Sequence, residues 1–392
     1  MIAQLRIDLG ALRRNAARLR RLVAPARYAA VLKADDYGHG LAPVGRALAP
    51  VVDAFCVYRV DEALVLREAG VSNPVLVLGP VEPGELEAAH RARASLALWS
   101  EGSFRRDVAR TARACGARFS VHAKIDTGVT RLGLDRDRAP AALAAYLADP
   151  DLALDGAFTH LAAAEELEST FTLAQLERFE AALAPLGPIL SQRAVVRHAA
   201  ASAAAMLFPK SRLDMVRAGI AGYGIWPSEE TRCAAPALEL EPVLTWTTRL
   251  VVVRSVEAGR AVGYGCTFRT ARASRIGVLP VGYAEGLPRA LSNSGHALVG
   301  GRRVPIVGRV CMNMAFVDVT DVPGALPGTA VTLLGRDGDE RIDPNDMAAA
   351  AGTIGYEIVA RLPASIPRVY DDLTAENAAT AASASARSSV PS

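Results

Sequence analysis

The stretch YAAVLKADDYGHG, residues 28–40, joins a short apolar strand to a polar turn. Its first five residues are apolar and partly β-branched, which predicts a buried β-strand. Lys33 stands at the end of that strand, and a glycine-containing turn with Tyr37 and His39 follows. An ammonium group at the mouth of a buried strand is costly unless it is paired or functional, and burial lowers a lysine pKa toward the range that Schiff-base chemistry needs. The alternative interpretation is a lysine that simply reaches solvent from a loop.

The pattern of a short apolar run followed by a helical stretch repeats along the chain for about eight units. This alternation predicts parallel β/α construction, and the number of units favours a closed (β/α)8 barrel. An open doubly wound sheet is the alternative, but the turn after the first strand lacks the GxGxxG sequence of dinucleotide-binding folds. The predicted barrel strands are 28–33, 53–58, 74–79, 95–99, 118–126, 152–160, 194–199 and 213–219.

The pattern changes after Pro236, where short strands are separated by Gly, Pro and Asp turns. We therefore predict an α/β fold in which the barrel, residues 1–235, precedes a mostly β C-terminal domain, residues 236–373. The first residues of the chain remain available to pair with that second domain. Residues 374–392 are rich in Ala, Ser and Thr, and we expect a disordered tail there. The predicted strands of the second domain are 245–256, 261–268, 275–281, 303–310, 315–319 and 330–334.

The composition excludes several classes of function. The 392 residues carry a net charge of only +3 and show no dense basic patch, so we expect no nucleic-acid partner. No apolar run is long enough to cross a bilayer, and the N-terminus lacks the apolar segment of a secretory signal. The five cysteines and six histidines are scattered along the chain. This scatter predicts no metal site, no disulfide framework and a cytoplasmic location.

Reactive or hydrogen-bonding side chains stand at the carboxyl ends of several predicted barrel strands. These strand ends share one face of a barrel, where the active site of such barrels lies. Each of these residues alone could be a satisfied core group, but their agreement favours a common site. A charged Lys124 needs a partner, for which Asp126 and Arg131 are the candidates. The strand-end residues are Lys33, Lys124, Asp126, His160, Ser202, Arg217 and Gly219.

Two of these positions suit a phosphate group. Phosphate sites in such barrels often follow strands seven and eight, where Ser202 offers a hydroxyl and Gly219 a closely approaching backbone. A Schiff-base lysine, a phosphate site and an Arg217 side chain able to face a ring nitrogen together predict a pyridoxal 5′-phosphate site.

The order and spacing of these motifs identify a known family. From about residue 2 to residue 370 the chain resembles the bacterial alanine racemases. The motifs that carry the resemblance are KADDYGHG (33–40), HAKIDTG (122–128), RLG (131–133), TH (159–160), DMVR (214–217), GYG (222–224), YG (264–265), GYA (282–284), CM (311–312) and YE (356–357).

The resemblance implies a two-base mechanism. Lys33 would hold pyridoxal 5′-phosphate and serve the D-enantiomer, while Tyr264, supplied by the second subunit of a homodimer, would serve the L-enantiomer. The implied reaction interconverts L-alanine and D-alanine and supplies D-alanine for peptidoglycan. A phenol and an ammonium group titrate near ~10 and ~10.4, so both must be shifted by their surroundings to act near neutral pH.

The resemblance also implies roles for other residues. Arg217 would face the pyridine nitrogen, with His160 in the same hydrogen-bonded surroundings. Lys124 matches a lysine that the family often carries as a carbamate. The phosphate contacts would come from Tyr37, Ser202, Gly219, Ile220 and Tyr356, and the substrate carboxylate site from Arg131 and Met312.

Several residues depart from the family pattern, and none of them removes a proton-transfer group. They put the substrate range in question, so a serine-preferring or broader amino acid racemase remains an alternative. A non-catalytic pyridoxal phosphate carrier and a related barrel decarboxylase are further alternatives, although such carriers generally lack the second domain and its tyrosine. The departures are Ala201, Ala218, Glu165, Glu285, Asn313 and Gly355.

Overall fold

The first half of the chain closes into a barrel of eight parallel strands. The computed structural model describes residues 3–100 and 102–372. The strands of this half are β1 (Ala3–Asp8), β2 (Arg27–Val31), β3 (Ala54–Val57), β4 (Val75–Val77), β5 (Ala94–Leu98), β6 (Phe119–Asp126), β7 (Leu134–Asp135), β8 (Leu152–Phe158), β9 (Val196–His198) and β10 (Met215–Ala218). Of these ten strands, all but β1 and β7 form the barrel.

Strand order decides between the two predicted architectures. The parallel ladder runs β10-β2-β3-β4-β5-β6-β8-β9. Its two ends meet, because the amide of Asp214 donates to the carbonyl of Arg197 at 3.0 Å and the amide of Arg217 to that of Ala200 at 3.0 Å. The predicted (β/α)8 barrel is therefore confirmed, and the open sheet was the wrong alternative.

Helices pack around these strands and continue into the second half of the chain. On the first helix, leucine and alanine side chains at helical spacing form the buried face, among them Leu12 and Leu19. No helix in the described ranges is long and apolar enough to span a membrane. The helices are α1 (Leu9–Val23), α2 (Leu41–Leu48), α3 (Val60–Glu68), α4 (Leu86–Arg91), α5 (Ser103–Ala114), α6 (Ala139–Ala148), α7 (Thr170–Leu183), α8 (Gly187–Gln192), α9 (Ser202–Leu207), α10 (Glu229–Ala234), α11 (Pro344–Ala351) and α12 (Gly355–Ala360).

The second half of the described chain is built mostly from sheets. The N-terminal strand β1 belongs to this part, since it pairs antiparallel with 244–249 and parallel with 368–371. The strands are β11 (Leu244–Arg249), β12 (Val252–Val256), β13 (Ala261–Val262), β14 (Phe268–Arg269), β15 (Ser274–Leu279), β16 (His296–Val299), β17 (Arg302–Pro305), β18 (Ala315–Asp318), β19 (Ala330–Asp337), β20 (Glu340–Ile342) and β21 (Arg368–Asp371).

Some strand predictions for this half were wrong in detail. The run 245–256 is two strands, because the chain leaves one sheet at Leu250 and enters another after Val251. The predicted strand 303–310 ends at Pro305, and three short strands at 296–299, 340–342 and 368–371 were not predicted. The predicted tail, 374–392, lies outside the described residues.

Candidate active site

A cavity of about 690 Å³ opens at the carboxyl ends of the barrel strands. It contains every residue that the sequence assigned to the site except Asp126, Tyr264 and Met312. The predicted residues that line it are Lys33, Tyr37, Lys124, Arg131, His160, Ser202, Arg217, Gly219, Ile220 and Tyr356.

Lys33 enters the cavity from an unusual turn. Strand β2 ends at Val31, two residues earlier than predicted, and Ala34, Asp35, Asp36 and Tyr37 then adopt φ values of 58°, 48°, 59° and 51°. Four successive left-handed residues without glycine cost about 1–2 kcal/mol each. This left-handed turn brings the Lys33 ammonium to 5.8 Å from the centre of the Tyr37 ring, so both side chains reach the cavity.

Glu62 holds the start of the left-handed turn, a role that sequence reasoning missed. Its buried carboxylate accepts hydrogen bonds from the amides of Ala34 at 2.7 Å, Tyr58 at 2.7 Å and Arg59 at 3.0 Å. The signal that could have found it is a glutamate in the first turn of a predicted helix, where it caps free amides.

Burial and neighbouring arginines lower the pKa values of the two lysines in the cavity. Lys33 is accessible through the cavity, yet desolvation and then the charge of Arg131 lower the pKa of its ammonium group, while Glu62 raises it. Burial, followed by Arg131 and Arg217, lowers the pKa of Lys124 to about 8. Positive charge collected in this way favours an anionic ligand.

The expected ion pair between Lys124 and Asp126 was wrong. The Asp126 carboxylate instead accepts the amides of Gly128, Val129 and Arg131 at 2.8, 2.9 and 3.1 Å. These three hydrogen bonds occupy both carboxylate oxygens of Asp126 and hold the loop after β6 in place. Within the described chain, Lys124 forms no salt bridge, although the charge of Asp126 still raises its pKa, and its ammonium group lies 5.7 Å from the centre of the Phe158 ring.

Lysine is rare in this protein, and two of its three lysines line the cavity. Only three lysines occur among the 44 Lys and Arg residues of the sequence. Lys33 and Lys124 line the cavity, and Lys210 is exposed elsewhere. An arginine cannot lose its proton in a protein, whereas a lysine can become a neutral amine, so the cavity retains the group that can act as a nucleophile or a base.

Ser202, Gly219 and Tyr37 form one wall of the cavity. The Ser202 hydroxyl oxygen accepts the amide of Gly219 at 3.1 Å, which leaves the hydroxyl proton free for a ligand. A Cβ atom at position 219 would lie 2.5 Å from the Tyr37 hydroxyl oxygen, so only glycine fits there. The wall thus presents two hydroxyl groups around a bare stretch of backbone.

Arg217 lies buried beneath the cavity and fixes a chain of hydrogen bonds. Its guanidinium donates to the carbonyls of Thr159 at 2.8 Å and Ala199 at 3.0 Å, and to Nδ1 of His198 at 2.6 Å. Because a guanidinium only donates, His198 must carry its proton on Nε2. That nitrogen then donates to Nδ1 of His122 at 2.8 Å.

His198 is a second residue that sequence reasoning missed. The available signal was a histidine near the carboxyl end of the seventh predicted strand, 194–199. Burial followed by Arg217 lowers the pKa of His122 to about 4 and that of His160 to about 3. The same two causes, followed by His122, lower the pKa of His198, so the three rings are neutral near pH 7.

Tyr264 and Met312 lie outside the cavity of their own chain. Tyr264 is 73% exposed and Met312 is 57% exposed, both in the mostly β half. Gly263 and Gly265, with φ values of 72° and 71°, present the tyrosine at the surface. Arg131 and Met312, which were expected to form one carboxylate site, are therefore not brought together within one chain.

At the mouth of the cavity, the Tyr356 hydroxyl donates to Glu165 at 3.4 Å. Burial raises the pKa of Glu165, although the hydrogen bond from Tyr356 lowers it. Two of the other departures from the family pattern also meet, since Asn313 Nδ2 donates to Glu285 Oε1 at 2.8 Å.

Comparison with known proteins gives the family. Residues 7–227 match the model of the alanine racemase N-terminal domain, and residues 243–370 match that of the C-terminal domain. This chain belongs to the alanine racemase family. The alanine racemase of Symbiobacterium thermophilum is 43% identical over 371 residues, which are 94% of this chain and 97% of that relative.

Solved structures of the family agree with the architecture. The crystal structure of the alanine racemase from D-cycloserine-producing Streptomyces lavendulae matches with a TM-score of 0.88 and 32% identity, over 96% of this chain and 98% of that one. The Bacillus anthracis alanine racemase with bound L-Ala-P matches with a TM-score of 0.83 and 34% identity, over 94% and 95% of the two chains.

The buried histidines predict a loss of stability in acid. An unfolded histidine titrates near about 6.5, so the unfolded state binds more protons than the folded state below that pH. Each such histidine then steepens the fall of the unfolding free energy by up to about 1.4 kcal/mol per pH unit. We expect His122→Gln to flatten this fall in urea titrations relative to the unmodified protein. Equal slopes for His122→Gln and the unmodified protein would contradict the neutral assignment.

Proposed function

We propose that this protein is a pyridoxal 5′-phosphate-dependent racemase that interconverts L-alanine and D-alanine. The observation that carries the proposal is the cavity itself. It combines a lysine of lowered pKa, a hydroxyl-lined wall and a buried arginine in a chain of the alanine racemase family. The sites of Lys33, Ser202 and Arg217 lie on three different strand ends of one barrel, as a shared active site requires.

The cavity residues fit the cofactor. Lys33 would bind it covalently, Tyr37, Ser202, Gly219 and Ile220 would hold its phosphate, and Arg217 would face its ring nitrogen. The fit rests on the Ser202 hydroxyl proton that Gly219 leaves free and on the space that a Cβ at position 219 would fill. When bound, the cofactor acidifies the α-hydrogen of an amino acid by delocalising the electron pair left on carbon.

Inversion requires one base on each face of the α-carbon, and we assign them to Lys33 and Tyr264. Lys33 moves the proton on the face that its own barrel presents. Tyr264 of a second subunit moves the proton on the opposite face, so the active form is a homodimer. The 73% exposure of Tyr264 supports this assignment, because a phenol held out from its own chain is available to a neighbour. His160 belongs to the neutral surroundings in which that proton transfer takes place.

The substrate contacts favour a small amino acid. Arg131 would bind the carboxylate, together with Met312 of the partner subunit, while Tyr356 and its hydrogen-bonded Glu165 narrow the mouth of the cavity. A serine-preferring racemase is the second candidate, because Asn313, which adjoins Met312, departs from the family pattern and is hydrogen-bonded to Glu285, a second departure. D-Alanine made here would serve peptidoglycan synthesis in the cytoplasm, a location supported by five free cysteines.

The first test is racemisation itself. Protein loaded with cofactor should convert L-alanine to D-alanine, and Tyr264→Phe should slow this conversion by about 10²–10⁴-fold, the contribution typical of a general base or acid. Chiral chromatography of single amino acids measures both enantiomers. Tyr146→Phe, a buried tyrosine far from the cavity, should keep the activity. Faster turnover of serine than of alanine would make serine the main substrate. Full activity of Tyr264→Phe would exclude the two-base assignment.

The shared site predicts complementation between two inactive variants. Lys33→Ala and Tyr264→Phe homodimers each lack one base at both sites. Dissociation and reassociation of the mixed proteins gives heterodimers in which one site combines an intact Lys33 with an intact Tyr264 from the other chain. We expect racemisation to reappear on mixing, with each variant alone as the control. No recovery in mixtures shown to contain heterodimers would place both bases on one chain.

Lys124 completes the proposed site as a carbamate. Its neutral amine would attack carbon dioxide, form the N–C bond and lose one proton, which converts a positive side chain into a negative one that orients Arg131. A pKa of about 8 leaves part of the amine neutral near pH 7, and Lys124 forms no salt bridge in the described chain. Carbon-13 NMR with labelled bicarbonate should show a carbamate signal that Lys124→Arg removes and Lys210→Arg retains. An identical spectrum for Lys124→Arg and the unmodified protein would contradict the carbamate.

A further inference from the structure

We infer that Asp36 is a buried neutral carboxylic acid that positions Tyr37 through Tyr223. The inference rests on the proposed function only for what Tyr37 binds. Asp36 is 0% exposed and lies one residue before Tyr37 in the left-handed turn. It does not line the cavity, so it acts as a positioning residue rather than a catalytic one.

The count of protons around Tyr223 gives the first argument. Its hydroxyl is hydrogen-bonded to Oδ1 of Asp36 and also lies 3.2 Å from the carbonyl oxygen of Val31. An ionised carboxylate and a carbonyl are both acceptors, and one hydroxyl has a single proton for them. Both contacts are satisfied when Asp36 carries its own proton and donates to Tyr223, which then donates to Val31.

The second argument is that the other carboxyl oxygen of Asp36 has no partner. Oδ2 of Asp36 has no hydrogen-bond partner among the described residues. A buried carboxylate with an empty oxygen is far more costly than a neutral acid in the same place. Burial raises the pKa of Asp36 well above its usual range, as do the charges of Asp35 and Glu62, although the Tyr223 hydrogen bond lowers it.

The remaining titratable groups that face Asp36 are not cations either. Tyr28 and Tyr37 have pKa values raised by burial and are neutral phenols. Nδ1 of His39 lies 3.0 Å from the carbonyl oxygens of Asp36 and Tyr37, so the ring proton is on that nitrogen. Burial lowers the pKa of His39 to about 4, so this ring is neutral as well. No neighbour therefore offsets a charge on Asp36.

Tyr223 connects this acid to the cavity wall. Its ring lies 5.1 Å from the Tyr37 ring and is stacked on His39 at 4.4 Å. Tyr37 in turn places its hydroxyl against Gly219. If Asp36 ionised, Tyr223 would turn its only proton to the carboxylate, and the Val31 carbonyl would lose its donor. The Tyr223 ring, against which Tyr37 packs, would then be held by one hydrogen bond instead of two. Cofactor binding is thereby linked to the protonation of a residue outside the cavity.

Infrared difference spectroscopy of the cofactor-free protein tests the protonation directly. Spectra of the unmodified protein minus Asp36→Asn near pH 7 should contain the carbonyl stretch of a protonated carboxylic acid. The asparagine is isosteric and can donate to Tyr223 as the acid does. Asp35→Asn, which changes the neighbouring exposed carboxylate, should give only ionised carboxylate bands. Only ionised bands in the Asp36 difference would overturn the inference.

Cofactor titration of the same proteins tests the positioning. At each pH, the affinity of each protein for pyridoxal 5′-phosphate is divided by that of Asp35→Asn. This ratio should fall with rising pH for the unmodified protein and stay constant for Asp36→Asn. Asp36→Leu, which cannot donate, should bind about tenfold more weakly, the scale of one lost buried hydrogen bond. Affinity of Asp36→Leu equal to that of the unmodified protein would refute the positioning role. If neither the unmodified protein nor any variant bound the cofactor, the proposed function would be refuted. The infrared spectra would still show whether Asp36 is protonated.

Discussion

The guanidinium of Arg217 can donate hydrogen bonds and cannot accept them, and the centre of the molecule is arranged around that constraint. Its donors reach the backbone at Thr159 and Ala199, which follow β8 and β9, so one side chain joins the strand ends where the barrel closes. The same constraint fixes the tautomers of His198 and His122. Gly156 belongs to this arrangement too, because a Cβ there would lie 2.1 Å from Nδ1 of His122.

The left-handed turn has an unfavourable backbone conformation, and the mostly β half of the chain helps to stabilise it. Arg368 Nε donates to the carbonyl of Gly38 at 2.9 Å, and the Tyr370 hydroxyl donates to that of His39 at 3.1 Å. Asp35 accepts the amide of Leu41 at 2.9 Å from the other side. Strand β21, which pairs with β1, therefore supports the turn that presents Lys33. The lysine depends on both halves of the chain although it is attached to only one.

Much of the barrel follows from the sequence because its strands are short apolar runs separated by helices, and polar residues at their ends share one face. Lys33, His160 and Arg217 could be placed at the site on that ground alone. The left-handed turn could not, since residues 34–37 contain no glycine and local preferences favour the right-handed conformation. The break at Leu250 was hidden for a related reason, because both strands are apolar and only tertiary pairing separates them.

The roles of Glu62 and His198 escaped prediction because they depend on partners far along the chain. Glu62 binds an amide 28 residues before it, and His198 binds a ring 76 residues before it. A pattern within one short window contains no information on such contacts. The exposed Tyr264 is the opposite case, since its motif was visible in sequence while its place in the site belongs to a second chain.

The scarcity of lysine gives the protein an unusual surface. Arginine supplies nearly all of its basic charge, and Lys210 is the exposed side-chain amine outside the cavity. Lys210 follows helix α9, which begins at Ser202 beside the cavity and ends at Leu207, so it lies beyond the far end of that helix. Outside the cavity, reagents that couple through side-chain amines would therefore attach the folded protein at Lys210. Immobilisation through Lys210 would hold each molecule at a single point, beyond the end of α9 that is distant from Ser202.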